Sequence, residues 1–549
     1  MTRSLYGRGR FAAALAVAAA ALTMLIAPPA HAAVSGRNLP ADGKVRLFMG
    51  QDSSTLADYK RDVLDPTPSA PRPGGVTLYT NLVLGGTPGP LGGFYGPVDY
   101  GSGVYDFPAT LNQYPGAALA VGLYLSDASA GCGNQPLRAI MGRNDPDVTA
   151  GSPNLITSYR AKVDEMVNWL KNTGREVFLR IGYEYDGPWN CYNADFYKEA
   201  FRYIKGRIDA LGATKVATVW QSAAWPIDES PNNPEYHYIV TAANHFDAWY
   251  PGDAYVDWVG LSAFYGATYQ QVQWACKAAS TSPRALQDRV LAFARGHGKP
   301  VMIAEASPQG FTTGAKTRSC IFAKSPQATT GDAIWNTWYA DFFGYIAANT
   351  DVIRAVAYIN TNWDAQPNWQ CNGAPAGQPG CANGYWGDSR IQADATIRSR
   401  FLAEIGNSRW VNGSGSTTPE RTVRGVGSNR CLDVSGGRTA DGTKVQLWDC
   451  LNNPAQKWRL ESNGSLVNPN SGKCLDVAGG AVADGTIVRL WTCLGNGAQR
   501  WTVNANGTIV NPQSGKCLDA DGWGTANGTQ MIIWTCGNPV QSNQNWVVS

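Results

Sequence analysis

The chain is poor in charge, and the charge it has nearly cancels. Of 549 residues only 16% are Asp, Glu, Lys or Arg, leaving a net charge of +3 and a pI near 8.2. Such a balance supplies no basic field for nucleic acid. Histidine is scarce as well: there are four, none at i, i+4 spacing, and no cysteines stand as C-x-x-C, which removes the usual metal-ligand patterns. Long apolar runs are confined to the N-terminus, so no later segment is expected to cross a bilayer. These shortages point to a protein of neutral ligands, with no metal or organic cofactor, no nucleic acid and no membrane contact in its mature form, acting as a monomer.

What the chain has in plenty is Gly, Trp and Tyr, 61, 20 and 24 residues, a composition common among secreted proteins. Arg3, Arg8 and Arg10 precede the apolar run FAAALAVAAAALTMLIA, and Ala30-His31-Ala32 places small residues where a signal peptidase reads. Residues 1–32 are therefore expected to be a signal peptide and the protein to be extracellular. The cysteines, 12 in number, are even in count and fit an oxidising destination.

Their spacing reveals a repeat. Cys431/Cys450, Cys474/Cys493 and Cys517/Cys536 are pairs of equal separation, within the threefold series CLDVSGGRTADGTKVQLWDC, CLDVAGGAVADGTIVRLWTC and CLDADGWGTANGTQMIIWTC. Short β-type runs alternate with DG and NG turn signals, with no helical pattern. The Gly/Ser/Thr-rich stretch VNGSGSTTPE lies just before, and residues 409–420 are expected to be a linker to an all-β domain over 421–549. Among the other cysteines, Cys132 with Cys191, Cys276 with Cys320 and Cys371 with Cys381 are the expected pairs.

In order and spacing, the CLD, LW-x-C and Q-x-W elements resemble the ricin B-type lectin family, a β-trefoil also classed as a family 13 carbohydrate-binding module. That resemblance implies sugar pockets built from Asp433, Gln446, Trp448 and Gln456 in the first repeat, and from Asp476, Trp491 and Gln499 in the second. In the third it implies Asp519, Trp534, Asn543 and Gln544. Arg489 and Ile532 replace the usual Gln, and Ala455 and Ala498 the usual Asn. Trp458, Trp501 and Trp546 are expected to brace the core. An aromatic face stacks on a sugar's C–H face while Asp and amide groups take its hydroxyls.

Residues 37–408 carry eight buried-strand patterns in order: VRLFMG, VTLYTNLV, ALAVGLYL, VFLRIGYE, VATVWQSA, VDWVGLSAFY, PVMIAEA and VIRAVAYIN. Helical periodicity falls between several of them, as in ITSYRAKVDEMVNWLKN and PRALQDRVLAFARGHG. Near-continuous apolar strands alternating with helices predict an α/β chain, a (β/α)8 TIM barrel followed by the β-trefoil. Chemistry in such barrels sits at the C-terminal strand ends, where Glu184 ends the fourth run and Glu305 the seventh.

Glutamates at the ends of strands four and seven resemble the clan A glycoside hydrolases, and Tyr183-Glu184-Tyr185-Asp186-Gly187-Pro188-Trp189 is most similar to the acid/base motif of family 26, with Tyr for His and Asp for Asn. The resemblance implies Glu184 as general acid/base and Glu305 as nucleophile of a retaining mechanism. Tyr185 and Trp189 are expected as apolar walls of Glu184, and Arg180 and Tyr265 as partners of Glu305. Arg180, Tyr183, Trp189, Gln221, Tyr265 and Trp363 are the expected substrate-binding residues, with Trp220, Trp225 and Trp369 as further stacking candidates and Asp52 and Asp127 as further hydroxyl ligands.

The reading is a secreted retaining endo-β-glycanase held near a polysaccharide or oligosaccharide substrate by its lectin domain, with mannan first, xylan second and β-glucan third. A non-catalytic lectin, an exo-acting glycosidase and an inverting hydrolase stay open.

Overall fold

In the computed structural model, residues 33–67, 69–126, 132–142, 155–229, 237–264, 279–312, 315–316, 327–375, 381, 385–413, 420–461 and 463–549 are described. The expected signal segment, Asp127, Tyr265, Cys276 and Cys320 lie outside them.

Each of the eight apolar runs forms a strand: β1 Val45–Gly50, β2 Gly75–Asn81, β3 Ala118–Tyr124, β4 Val177–Ile181, β5 Val216–Ser222, β6 Trp258–Ser262, β7 Val301–Ala306 and β8 Ile353–Ile359. Neighbours in sequence pair in parallel all round, and β8 returns to β1, with Arg46 opposite Ala355, so the sheet closes. Helices α1 Leu155–Asn172, α2 Ala194–Ala210, α3 Pro283–Gly296 and α4 Ala340–Ala348 lie between strands in the sequence. In α2, Tyr197, Ala200, Phe201, Ile204 and Ile208 fall on one buried stripe, and Asn193 caps its start by accepting from the Asp195 and Phe196 N–H groups.

The barrel interior is filled. Phe48, Phe178, Trp258 and Met302 project into it among alanines at 118, 120, 217, 304, 355 and 357, and Phe178 meets Phe48 and Trp258 edge-on, with ring centroids 5.1 Å apart in both cases. Small residues on neighbouring strands give the large rings their room. Because strand side chains alternate, Arg180 and Gln221 sit on the same inward side as Phe178 and Val219, one step nearer the C-terminal mouth.

The expected linker begins with structure. Trp410–Gly413 forms β9, which pairs in parallel with β1 through Val45–Trp410 and Arg46–Val411, and antiparallel with Arg72–Pro73. Residues 414–419 lie outside the described set.

Beyond them the repeats form three hairpins: β10 Cys431–Val434 with β11 Val445–Trp448, β12 Lys473–Val477 with β13 Thr486–Trp491, and β14 Lys516–Ala520 with β15 Met531–Trp534. Val423 opposite Val548 joins the two ends of this region. It has its own core, where the indole N–H groups of Trp458, Trp501 and Trp546 donate to the carbonyls of Leu432, Leu475 and Leu518, each at 3.0 Å. Disulfides join Cys431–Cys450, Cys474–Cys493 and Cys517–Cys536 here, and Cys132–Cys191 and Cys371–Cys381 in the barrel. The β-rich region touches the barrel where Arg459 donates to the Asn112 carbonyl at 2.7 Å and the Asn112 amide donates to the Gly472 carbonyl. Among the described residues no helix is long and apolar enough to cross a membrane.

Candidate active site

The two glutamates reach the mouth by different local devices. After β4 the chain leaves the sheet through Gly182 and Glu184, both in the left-handed region at φ 52° and 51°, before the Tyr185 N–H returns to the Gln221 carbonyl at 3.0 Å. A glutamate at positive φ is held there only by its surroundings. The Asn190 amide donates to the carbonyls of both Tyr183 and Glu184 at 3.0 Å, and the Gly187 N–H donates to the Glu184 carbonyl at 2.8 Å. Asp186 ties the same loop to the end of β5, accepting from Ser222 Oγ and the Ala223 N–H at 2.6 Å and lying 2.9 Å from His245 Nε2.

Glu305 depends on a bulge. Inward-facing Met302 and Ala304 would leave position 305 pointing outward, but between Ile303 and Glu305 two residues of β7 oppose one of β6, where Leu261 and Ser262 are consecutive. The extra residue re-aims the carboxylate into the barrel.

There the two acids join one buried network. Ser262 Oγ donates to Glu184 Oε1 at 2.7 Å, Gln221 Nε2 reaches Ser262 Oγ at 3.0 Å and Glu305 Oε1 at 3.4 Å, and Arg180 pairs with Glu305 Oε1. Arg180 is fully buried, with its Nε on Gln221 Oε1 at 2.7 Å and Nη1 on the Tyr79 hydroxyl at 3.1 Å. The rings of Tyr79 and Tyr183 flank its guanidinium. Gly122 makes this possible, since a Cβ there would fall 2.4 Å from the Tyr79 ring.

Burial first, and the negative charge of Glu305 second, push the Glu184 carboxyl up to about 8; hydrogen bonds from Ser262 and Trp189 act in the opposite direction. At neutral pH Glu184 therefore holds a proton beside a carboxylate paired to arginine. Among the described residues no three His, Cys, Asp or Glu side chains gather as metal ligands.

Several expected roles change. Tyr185 is no wall of Glu184: it points outward and stacks on Trp220 at 4.5 Å, and both lie under the helices. Trp220 is thus packing, because it is one residue out of phase with inward-facing Gln221. Trp189 is 36% exposed at the mouth, but its Nε1 donates to Glu184 Oε2 at 3.0 Å, so it stabilises the ionised form instead of opposing it. Trp363 is enclosed by Phe264, Trp369 and Trp386, with 2% of its surface exposed, and Trp225 is buried edge-on to Trp189. Asp52 is a buried helix cap accepting from the Thr55 N–H and hydroxyl at 2.9 and 2.6 Å.

In the C-terminal region the structure brings each aspartate together with the glutamine of the same repeat's Q-x-W element. Gln456, Gln499 and Gln544 are fully buried and donate to Asp433, Asp476 and Asp519 at 3.1, 3.0 and 2.7 Å. They orient the carboxylates. Gln446 donates to Asp433 Oδ1 at 3.2 Å, and in the second repeat Arg489 does the same for Asp476 at 3.3 Å while its guanidinium covers the Trp491 ring at 3.7 Å. Trp448 and Trp534 stand 37% and 45% exposed.

Over 391 residues, 70% of this chain, the sequence is 32% identical to "Beta-1,3-xylanase TXYA" of Vibrio sp and to "Beta-1,3-xylanase" of Alcaligenes sp, covering 69% and 68% of those proteins. The chain belongs to the β-1,3-xylanase family. It is accordingly a glycoside hydrolase. Residues 419–546 of this xylanase-family chain match the ricin-type beta-trefoil lectin domain, and a stretch of 58 residues is 43% identical to "Beta-galactoside-specific lectin 2" of Viscum album, over a tenth of each chain.

For this xylanase-family chain, sequence reasoning missed Ser262, Tyr79 and Asn190. Ser262 and Tyr79 sit in runs read only as strand, where a lone hydroxyl gives no signal. Asn190, six residues beyond Glu184, was within reach of a motif reading.

Proposed function

We propose that the chain is a secreted, retaining endo-β-1,3-xylanase, in which Glu305 attacks the anomeric carbon and Glu184 serves first as acid and then as base. The observation that carries this reading is the hydrogen-bonded chain Glu184–Ser262–Gln221–Glu305, which ties two carboxyl groups from opposite strands into one site while Arg180 takes the charge of the second. Protonated Glu184 gives its proton to the leaving oxygen as the glycosidic bond breaks and the Glu305 carboxylate bonds to C1. The resulting Glu184 carboxylate then removes a proton from water, whose oxygen displaces Glu305. Trp189 at the rim and the hydroxyls of Tyr79 and Tyr183 are the groups we assign to the sugar chain.

The relatives' substrate supports xylan with β-1,3 linkages as first choice, ahead of the mannan that the sequence put first, with β-glucan still last. The lectin domain supplies a tether, raising local enzyme concentration at insoluble polymer without altering the chemistry. The N-terminal apolar run and the disulfides support export.

The test is incubation with β-1,3-xylan, β-1,4-xylan, mannan and β-1,3-glucan, with products sized by mass and their anomer read by NMR at early times. Oligosaccharides of mixed length from β-1,3-xylan, released in the β-configuration, are the expected result. Products of inverted anomer would remove the nucleophilic role of Glu305, and inertness toward all four polymers would remove the reading.

A further inference from the structure

The three C-terminal repeats are not equivalent, and their differences converge on one pocket. Gly437 and Gly480 occupy the same place in repeats one and two, both at φ 63°, and Trp523 stands there in repeat three at φ 59°. Glycine adopts this left-handed conformation freely, whereas a bulky residue is strained in it, and such strain concentrates at binding sites. A Cβ on Gly437 would meet the Ala455 Cβ at 3.9 Å, and one on Gly480 the Ala498 Cβ at 3.8 Å. The position matching Ala455 and Ala498, immediately before the Gln of each repeat's Q-x-W element, is Asn543, in a loop that is longer than its counterparts. A small pair in two repeats is thus replaced by Trp523 and Asn543 in the third, and these two side chains line a common cleft with Gly524, Thr525 and Ser542.

The aspartate hydrogen-bonded to Asn543 is also engaged differently from its counterparts. In repeats one and two both carboxylate oxygens of the aspartate accept from protein: Asp433 from Gln446 and Gln456, Asp476 from Arg489 and Gln499. In repeat three, Ile532 stands opposite Asp519 and donates nothing. Asn543 and Gln544 both donate to Asp519 Oδ2, at 2.9 and 2.7 Å. Among the described residues no donor reaches Asp519 Oδ1, and Asn543 Oδ1 is buried without a partner. Both acceptors thus lack a protein donor, and Asn543 shares its cleft with an indole that is 56% exposed. In repeat two, by contrast, Arg489 covers the ring of Trp491.

We propose that the third repeat is the principal carbohydrate site of the C-terminal region and that Trp523 is a stacking platform in it, absent from the other two repeats. The ligand class is a neutral sugar residue whose adjacent ring hydroxyls donate to Asp519 and Asn543 while its C–H face lies on the indole. A polysaccharide segment and a terminal galactoside share that chemistry. The inference rests on the tethering role given above and not on the assigned catalytic residues.

The test uses the full chain with Trp523→Gly and Asn543→Ala, which return repeat three to the residues of repeats one and two and, for Trp523→Gly, relieve the backbone. Retention on insoluble β-1,3-xylan and on lactose–agarose is measured beside hydrolysis of a short soluble β-1,3-xylo-oligosaccharide and the melting temperature. Trp523→Gly is expected to weaken retention about tenfold, with oligosaccharide hydrolysis unchanged and melting not lowered; the matrix that loses it identifies the source of the sugar. Trp448→Ala and Trp491→Ala are expected to cost less. Unchanged retention of Trp523→Gly, a larger loss in Trp448→Ala, or no retention of the unsubstituted chain on either matrix overturns the proposal. Oligosaccharide hydrolysis in all these variants reports separately on the barrel, so failure there leaves the lectin inference standing.

Discussion

The barrel mouth and the C-terminal pockets use similar side chains and assemble them in opposite ways. At the mouth, Arg180 and Glu305 are 125 residues apart and Gln221 and Ser262 come from two further strands. In each pocket the aspartate and the glutamine that orients it are at most 25 residues apart, within one repeat. A site drawn from four strands exists once, and every member answers to the others. A cluster contained within a repeat exists in triplicate, and the copies have diverged without touching the fold: in one the aspartate is held by two glutamines, in one by an arginine and a glutamine, and in one an oxygen is left without a donor.

The sharpest way to break that contrast is Glu305→Gln, expected to reduce turnover by roughly 10^4 or more while leaving retention on polysaccharide intact; equal loss of both would mean that the two regions are not separable. Glu184→Gln should cost about 10^2 to 10^4 on polymer, and far less on an aryl glycoside whose leaving group needs no proton. Its stability should move the other way. Folded Glu184 keeps its proton up to about 8 whereas the unfolded group releases it near 4.5, so wild-type stability falls as pH rises across that window. Glu184→Gln removes the fall, and its gain in melting temperature should be larger at pH 8 than at pH 4.

In the C-terminal region, truncating fully buried Trp458 to Ala should cost about 3–5 kcal/mol, seen in calorimetry as a lowered transition of that region, with hydrolysis of soluble oligosaccharide preserved. Exposed Trp448→Ala should change stability by less than about 0.5 kcal/mol. The smallest expected effect is on the pH profile. Activity should decline as pH rises through the Glu184 value near 8, and Ser262→Ala, which deletes a donor to the Glu184 carboxylate, should move that decline to higher pH. A shift to lower pH would place Ser262 in another role.

The eight strands were legible because strands buried on both faces read as unbroken apolar runs, and the two glutamates because each ends such a run. The inward aim of Glu305 was not: alternation places it with the outer residues, and a bulge leaves no mark in apolar sequence. Alternation also separates Gln221, which reaches the site, from its neighbour Trp220, which packs under the helices, a distinction available from parity alone. In the repeats, comparing aligned positions exposed the substitutions at 489 and 532, but a missing Gln at 532 reads as a defect until the hydrogen bonds show that it leaves a carboxylate oxygen open.

Strand β9 carries a practical corollary for gene architecture. Because Trp410–Gly413 is hydrogen-bonded to the first strand of the barrel and to Arg72–Pro73, a splice that exchanges the C-terminal module must fall after Gly413. Joining at 408 would strip the barrel of the strand that pairs with Val45 and Arg46 at the start of β1 and with Arg72–Pro73.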